Sequence, residues 1–262
     1  MVPATEVRPF QIVYPNITRD PETGAGTWTD EELARAIRQG IGQDGRTLYR
    51  MPFRAFSSMS DEDLAAVVVY LRSVPPVRNK LPKMVLPAEI AATLTPLPPP
   101  GRVPPPDPSD PVKRGAYLVT LGQCIGCHSP SRDGQRIPGL EFSGGNAFTA
   151  SSGRLLSSGN LTIASANLTS DPSGIPYYDE ALFVKTMRAG AVGGVRELDT
   201  AMPWSYFRLM TDADLKDVLA FLRSLKPVVH RVSNTEPPTL CPLCGYRHGY
   251  GDRNVAPAPT VR

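Results

Sequence analysis

Cysteine and histidine are scarce in this chain, with four and three copies in 262 residues. Long apolar runs are missing as well. None approaches the roughly 20 residues that cross a bilayer, so no transmembrane segment is expected. Lysine and arginine form no cluster, and a net charge of +3 over the whole length gives nothing to track a phosphate backbone. A nucleic-acid binder is therefore excluded. The opening residues, MVPATEVRPFQIVYPNIT, lack a basic region followed by an apolar one, so no export signal is visible. No constellation of acid, base and nucleophile is recognisable either. What remains, 41% hydrophobic and 20% charged, is the make-up of an ordinary globular protein. The one excess is proline, 29 residues unevenly placed.

The chain repeats itself. NITRDPETGAGTWTDEELARAIRQG (16–40) matches NLTSDPSGIPYYDEALFVKTMRAG (167–190), and MPFRAFSSMSDEDLAAVVVYLRSVPPV (51–77) matches MPWSYFRLMTDADLKDVLAFLRSLKPV (202–228). An offset of 151 relates both Asn16 to Asn167 and Met51 to Met202. Each copy predicts two helices. The first opens on acids, Asp30, Glu31 and Glu32 or Asp179 and Glu180, which suit the positive end of a helix dipole. It stops at Gly40 or Gly190. The second starts at Ser60-Asp61 or Thr211-Asp212 and carries apolar residues at helical spacing: Leu64, Val67, Val68, Leu71 and Leu215, Val218, Leu219, Leu222. Pro76 and Pro227 end it. Between the copies, the proline-rich stretch reads as an extended surface connector.

Three of the seven scarce residues stand together in LGQCIGCHSP (121–130). C-x-x-C-H is the attachment signature of c-type haem. Cys124 and Cys127 would form thioethers to one edge of the porphyrin, and His128 would then offer an imidazole to the iron. Disulfide, redox dithiol and half a zinc site are the alternatives. Met202-Pro203 supplies a thioether before the last helix, a soft ligand that favours ferrous iron. Core packing is the alternative role for Met202.

Residues 112–228 resemble a class I cytochrome c domain: a helix, C-I-G-C-H, a long loop, then M-P before the final helix. RGAYLVTLGQCIGCHSP, Gly144-Gly145, NLTSD, MRAG, AMPWSYF and MTDADLKDVLAFLRSLKPV are similar to the tandem cytochromes c, among them the cytochrome subunits of bacterial membrane-bound alcohol, gluconate and fructose dehydrogenases. The resemblance implies a mainly α fold of tandem cytochrome c-like helical domains, the first incomplete, joined by a Pro-rich linker. The expected divisions are 1–77, a partial unit without C-x-x-C-H; 78–111, the linker; 112–230, a complete domain; and 231–262, a tail. It further implies that Gly115 packs on Phe221 where the terminal helices cross. Asn167, Arg188, Trp204 and Tyr206 would lie near the haem and its propionates, and the Pro138 carbonyl would accept from His128.

The first unit lacks its motif, because the offset places those cysteines before Met1. A lost N-terminus accounts for this and for the missing export segment. The rival account is a first domain that never bound haem, with Met51 as packing. The expectation is one haem c in this chain, and a second, with Met51 as axial ligand, only if a missing N-terminus supplies C-x-x-C-H. In the tail, Cys241-x-x-Cys244 is followed by Gly245 and not by histidine, which puts a haem variant third. A disulfide, the commoner fate of such a pair in an oxidising compartment, is expected first, and zinc held with His248 and His230 second. The expected role is that of an electron carrier rather than an enzyme. It would sit in the periplasm and relay electrons from a redox partner, such as a dehydrogenase subunit, to a quinone, oxidase or soluble acceptor. Peripheral membrane association through another subunit is compatible with this. A haem peroxidase or a non-redox docking subunit are the competing readings.

Overall fold

The computed structural model describes residues 11–149, 162–194, 196–234 and 239–248. The first ten residues, and the tail beyond His248, lie outside them. Internal contacts divide the chain into an N-terminal unit that ends at Pro106 and a C-terminal unit that begins at Asp107.

In the N-terminal unit, α1 (Asp30–Gln39) begins with a capping box. The Thr29 hydroxyl accepts from the Glu32 amide at 3.2 Å while the Glu32 carboxylate accepts from the Thr29 amide at 2.9 Å. Leu33, Ala36 and Ile37 form its buried stripe. Gly40 ends it with φ +74°, and a Cβ there would drive into the Phe53 ring, so glycine is required twice over. Phe53 opens α2 (Phe53–Phe56), directly after Met51-Pro52. Ser60 caps α3 (Asp61–Ser73), which buries Leu64 and Val68. The short α4 (Ala88–Ala91) lies in the proline-rich stretch. That stretch runs with this unit up to Pro106. Some of its non-proline amides tie it down: Leu97 donates to the Gln39 carbonyl at 3.0 Å and Val103 to the Asp61 carboxylate at 3.3 Å. Proline removes its own donor but not those of its neighbours.

In the C-terminal unit, Asp110 caps α5 (Pro111–Leu121), with Pro111 in the first turn where its missing N–H costs nothing. Next come α6 (Cys124–His128), α7 (Glu180–Ala189), α8 (Trp204–Phe207) and α9 (Asp212–Ser224). Between and after them lie short strands, β1 (Ser131–Arg132) with β2 (Gln135–Arg136), β3 (Ala147–Thr149) with β4 (Thr162–Ala164), β5 (Ala191–Val192) with β6 (Arg196–Glu197), and β7 (Thr239–Leu240) with β8 (Arg247–His248). Each pair is antiparallel. These two-stranded sheets were not expected from the helical periodicity; they pin the loops of a helical fold. The core gathers Val119, Phe142, Tyr178, Phe183, Met187, Val192, Leu215, Val218, Leu219 and Leu222.

Helix α5 lies across α9. A Cβ on Gly115 would overlap the Asp217 carbonyl and come within 2.7 Å of the Phe221 Cβ, so only glycine permits this approach. Arg114 fastens the crossing with 2.7 Å bonds to both Asp214 and Asp217. Gly115→Ala should therefore destabilise the C-terminal unit by about 1–3 kcal/mol through overpacking. An ordinary mid-helix Gly→Ala change would instead gain about 1 kcal/mol, so the sign of the change in a denaturant titration decides the point. The N-terminal unit has no counterpart of α5 among its described residues. Val67 is accordingly 36% exposed where its repeat partner Val218 is 9% exposed.

The same clips recur in both units. Asn16 Nδ2 donates to the Val77 carbonyl at 2.8 Å, and Asn167 Nδ2 to the Val228 carbonyl at 2.9 Å. Arg38 pairs with Asp61 at 2.7 Å, and Arg188 with Asp212 at 2.5 Å. Arg72 and Arg223 cap the Trp28 and Tyr178 carbonyls at 2.5 and 2.6 Å.

Candidate functional site

Helix α5 ends at Gly122, and Gln123 takes a left-handed conformation with φ +56°. That sharp turn starts α6 in a new direction. Cys124 and Cys127, three residues apart, share a face of α6. Burial pushes the Cys124 thiol up to about 11 and raises that of Cys127 also. A redox dithiol needs a lowered pKa, so these neutral thiols disfavour that alternative.

His128 is buried at the end of α6. Its Nδ1 lies 2.7 Å from the Ala166 carbonyl, which can only accept, so Nδ1 carries the proton and Nε2 the lone pair. Burial lowers the imidazole pKa and keeps the ring neutral. The acceptor is thus Ala166, not Pro138 as expected. The reason is the Gly144-Gly145 turn, with φ of +75° and +91°. It brings 165–166 alongside α6: Gly144 donates to the His128 carbonyl at 2.7 Å and Gly145 to the Ser165 carbonyl at 2.8 Å. Asn146, which the sequence reading missed, completes the turn. Its amide donates to the Cys127 carbonyl at 2.9 Å and the Ser129 carbonyl at 2.8 Å, satisfying acceptors at the end of α6. Only its position after the paired glycines could have signalled it.

Met202 packs against the core of the same unit. Its amide donates to the Asp199 carbonyl at 3.0 Å, and its carbonyl accepts from the Trp204 amide at 2.8 Å, a bond that spans Pro203. Trp204 lies over Gly190, whose φ is +66°. A Cβ built on Gly122 would sit 3.4 Å from both Cys124 Sγ and Phe207 Cε1, so α8 borders the cysteine motif. Trp204 Nε1 is buried without a hydrogen-bond partner. Such an orphan donor fits an acidic group on a bound cofactor. Together with two thiols on one face and a neutral, oriented imidazole, it fits haem.

Of the other expected haem neighbours, Asn167 donates to the Val228 carbonyl and Arg188 pairs with Asp212, the bonds that Asn16 and Arg38 make in the N-terminal unit. Tyr206 is 75% exposed. Met51 is half-buried beside α2. Cys241 and Cys244 are not joined by the expected disulfide; each sulfur faces a histidine.

The sequence profile of the cytochrome c family matches residues 112–226. The chain is 32% identical over 240 residues to the cytochrome c subunit of an alcohol dehydrogenase (quinone) from Gluconobacter oxydans, covering 84% of this chain and 48% of that one. It is 32% identical over 235 residues to the fructose dehydrogenase cytochrome subunit of Gluconobacter japonicus, covering 82% and 44%. Over 134 residues it is 35% identical to the gluconate 2-dehydrogenase cytochrome c subunit of Pantoea cypripedii, covering 47% and 30%. The chain thus spans about half the length of the alcohol dehydrogenase subunit. With the motif, the oriented histidine and these relatives in agreement, residues 112–226 are a cytochrome c domain of the kind that binds haem c covalently.

Proposed function

We propose that the C-terminal unit relays single electrons, with haem attached through Cys124 and Cys127 and its iron held between His128 and Met202. The observation that carries this reading is the locked, neutral His128, whose Nδ1–H is spent on Ala166 and whose Nε2 is left as a donor atom. Haem supplies the redox couple. The protein's part is to hold both ligands still. The Ala166 bond fixes the imidazole plane and raises its basicity. Pro203 and the two flanking backbone bonds restrain the methionine. Trp204, whose indole N–H is buried without a partner, would offer it to a propionate, and the surrounding core would keep water out, which limits reorganisation when the charge changes.

The relatives are named as cytochrome subunits of dehydrogenases, which supports a dehydrogenase as the electron donor and an extracytoplasmic setting. No helix among the described residues is long and apolar enough to cross a membrane. Under this reading the N-terminal unit carries a second haem, on Met51, only where another segment provides C-x-x-C-H.

Expression with a haem-attachment system tests it. Mass spectrometry should show the polypeptide plus one haem, and the oxidised protein should show the weak sulfur-to-iron band at the red end of the visible spectrum. A bare polypeptide mass would overturn the whole reading, and a high-spin oxidised spectrum would overturn the methionine ligation.

A further inference from the structure

Four buried side chains of the C-terminal unit have no place in that function and form one cluster. His230 follows α9, and the hairpin β7–β8 brings Cys241, Cys244 and His248 to it. All four are 0–2% exposed. We propose that they bind one Zn2+ in a structural site separate from the haem, and that this ion clamps the tail onto the loop that follows His128.

The local sequence builds the site. Cys241 donates its amide to the Tyr246 carbonyl at 2.8 Å, and Gly245 donates to the Cys241 carbonyl at 2.9 Å. Gly245 adopts φ +78°, which folds Cys-Pro-Leu-Cys-Gly into a tight knuckle with both sulfurs inward. The four ligand atoms all lie within 4.8 Å of one another. A tetrahedral zinc with Zn–S of about 2.3 Å and Zn–N of about 2.0–2.1 Å requires sulfur-to-nitrogen edges of about 3.5 Å. Cys241 Sγ lies 3.6 Å from His230 Nε2, and Cys244 Sγ lies 3.4 Å from His248 Nε2. The edges agree.

The surroundings also suit a metal. His230 Nδ1 is 3.1 Å from the Ser143 carbonyl, which fixes its proton there and turns the Nε2 lone pair toward the sulfurs. The two imidazoles stand at 77° to each other, their centroids 4.9 Å apart. Room for them comes from Gly145, where a Cβ would lie 2.6 Å from His230 Cε1. Two thiolates balance the charge of a divalent ion, so a neutral site can be buried where isolated charges could not. A set of two thiolates and two imidazoles in this shape selects zinc over oxygen-loving cations.

The clamp acts on the haem-bearing segment from both ends. Ser143, which holds His230, precedes the Gly144 amide that donates to the His128 carbonyl at 2.7 Å. Tyr246, inside the knuckle, donates its hydroxyl to the Ser131 carbonyl at 2.8 Å.

Metal analysis of the full, haem-loaded chain tests this. The expected result is one zinc per haem iron, with X-ray absorption at the zinc edge showing two sulfur neighbours at about 2.3 Å and two nitrogens at about 2.0 Å. The double substitution Cys241→Ser, Cys244→Ser should lose the zinc while keeping covalent haem. If that variant does not fold, the absorption spectrum of the unaltered protein decides alone. A protein without zinc whose mass is two hydrogens lower would show a disulfide and overturn the proposal. So would an oxygen-only shell, an unaltered zinc content in the double variant, or a second iron in place of zinc.

Discussion

Replacing Met202 by histidine is expected to lower the reduction potential of the haem by on the order of 0.1 V, within the roughly 0.8 V range that axial ligands command. A thioether is soft and stabilises ferrous iron, whereas a second imidazole stabilises the ferric state. The Met202 backbone is held by Asp199 and Trp204 through main-chain bonds that do not depend on its side chain, so the loop should keep its course in the variant. Potentiometric titration gives the shift, and the far-ultraviolet circular dichroism checks that the fold persists. The red-end band of the oxidised protein should vanish at the same time. A potential unchanged within about 0.02 V, a small fraction of that range, with the band intact, would show that Met202 is a core residue and not a ligand.

Leu219→Ala should cost about 2–5 kcal/mol of stability, the range for emptying a buried leucine site. Leu219 is 1% exposed on α9, inside the cluster of Val119, Leu215 and Leu222, and the close α5–α9 crossing at Gly115 leaves neighbours little freedom to collapse into the void. Val69→Ala on α3, at a site 67% exposed, should change stability by no more than about 0.5 kcal/mol. Because two units need not unfold together, unfolding is best followed both by circular dichroism and at the haem absorbance, which reports the C-terminal unit alone. A loss below about 1 kcal/mol for Leu219→Ala would mean that α9 is not packed as described.

By itself the sequence determined the chemistry that is local along the chain. Cys124, Cys127 and His128 occupy one helical turn, so their spacing reads the same in sequence and in space. The capping residues, the glycine stops and the stripe on α9 are likewise set by neighbours within a few positions. Only the tertiary structure decided what depends on distant segments meeting. The partner of His128 is a carbonyl, a group that every residue carries, so no side chain could announce Ala166 over Pro138. The bonds of Asn167 to Val228 and of Arg188 to Asp212 join well-separated segments, so they too are visible only in the tertiary structure. Cys241 and Cys244 suggested a disulfide because adjacency favours one. The structure turns each sulfur to a histidine instead, since the paired glycines and the hairpin bring His230 and His248 to them from separate stretches of backbone.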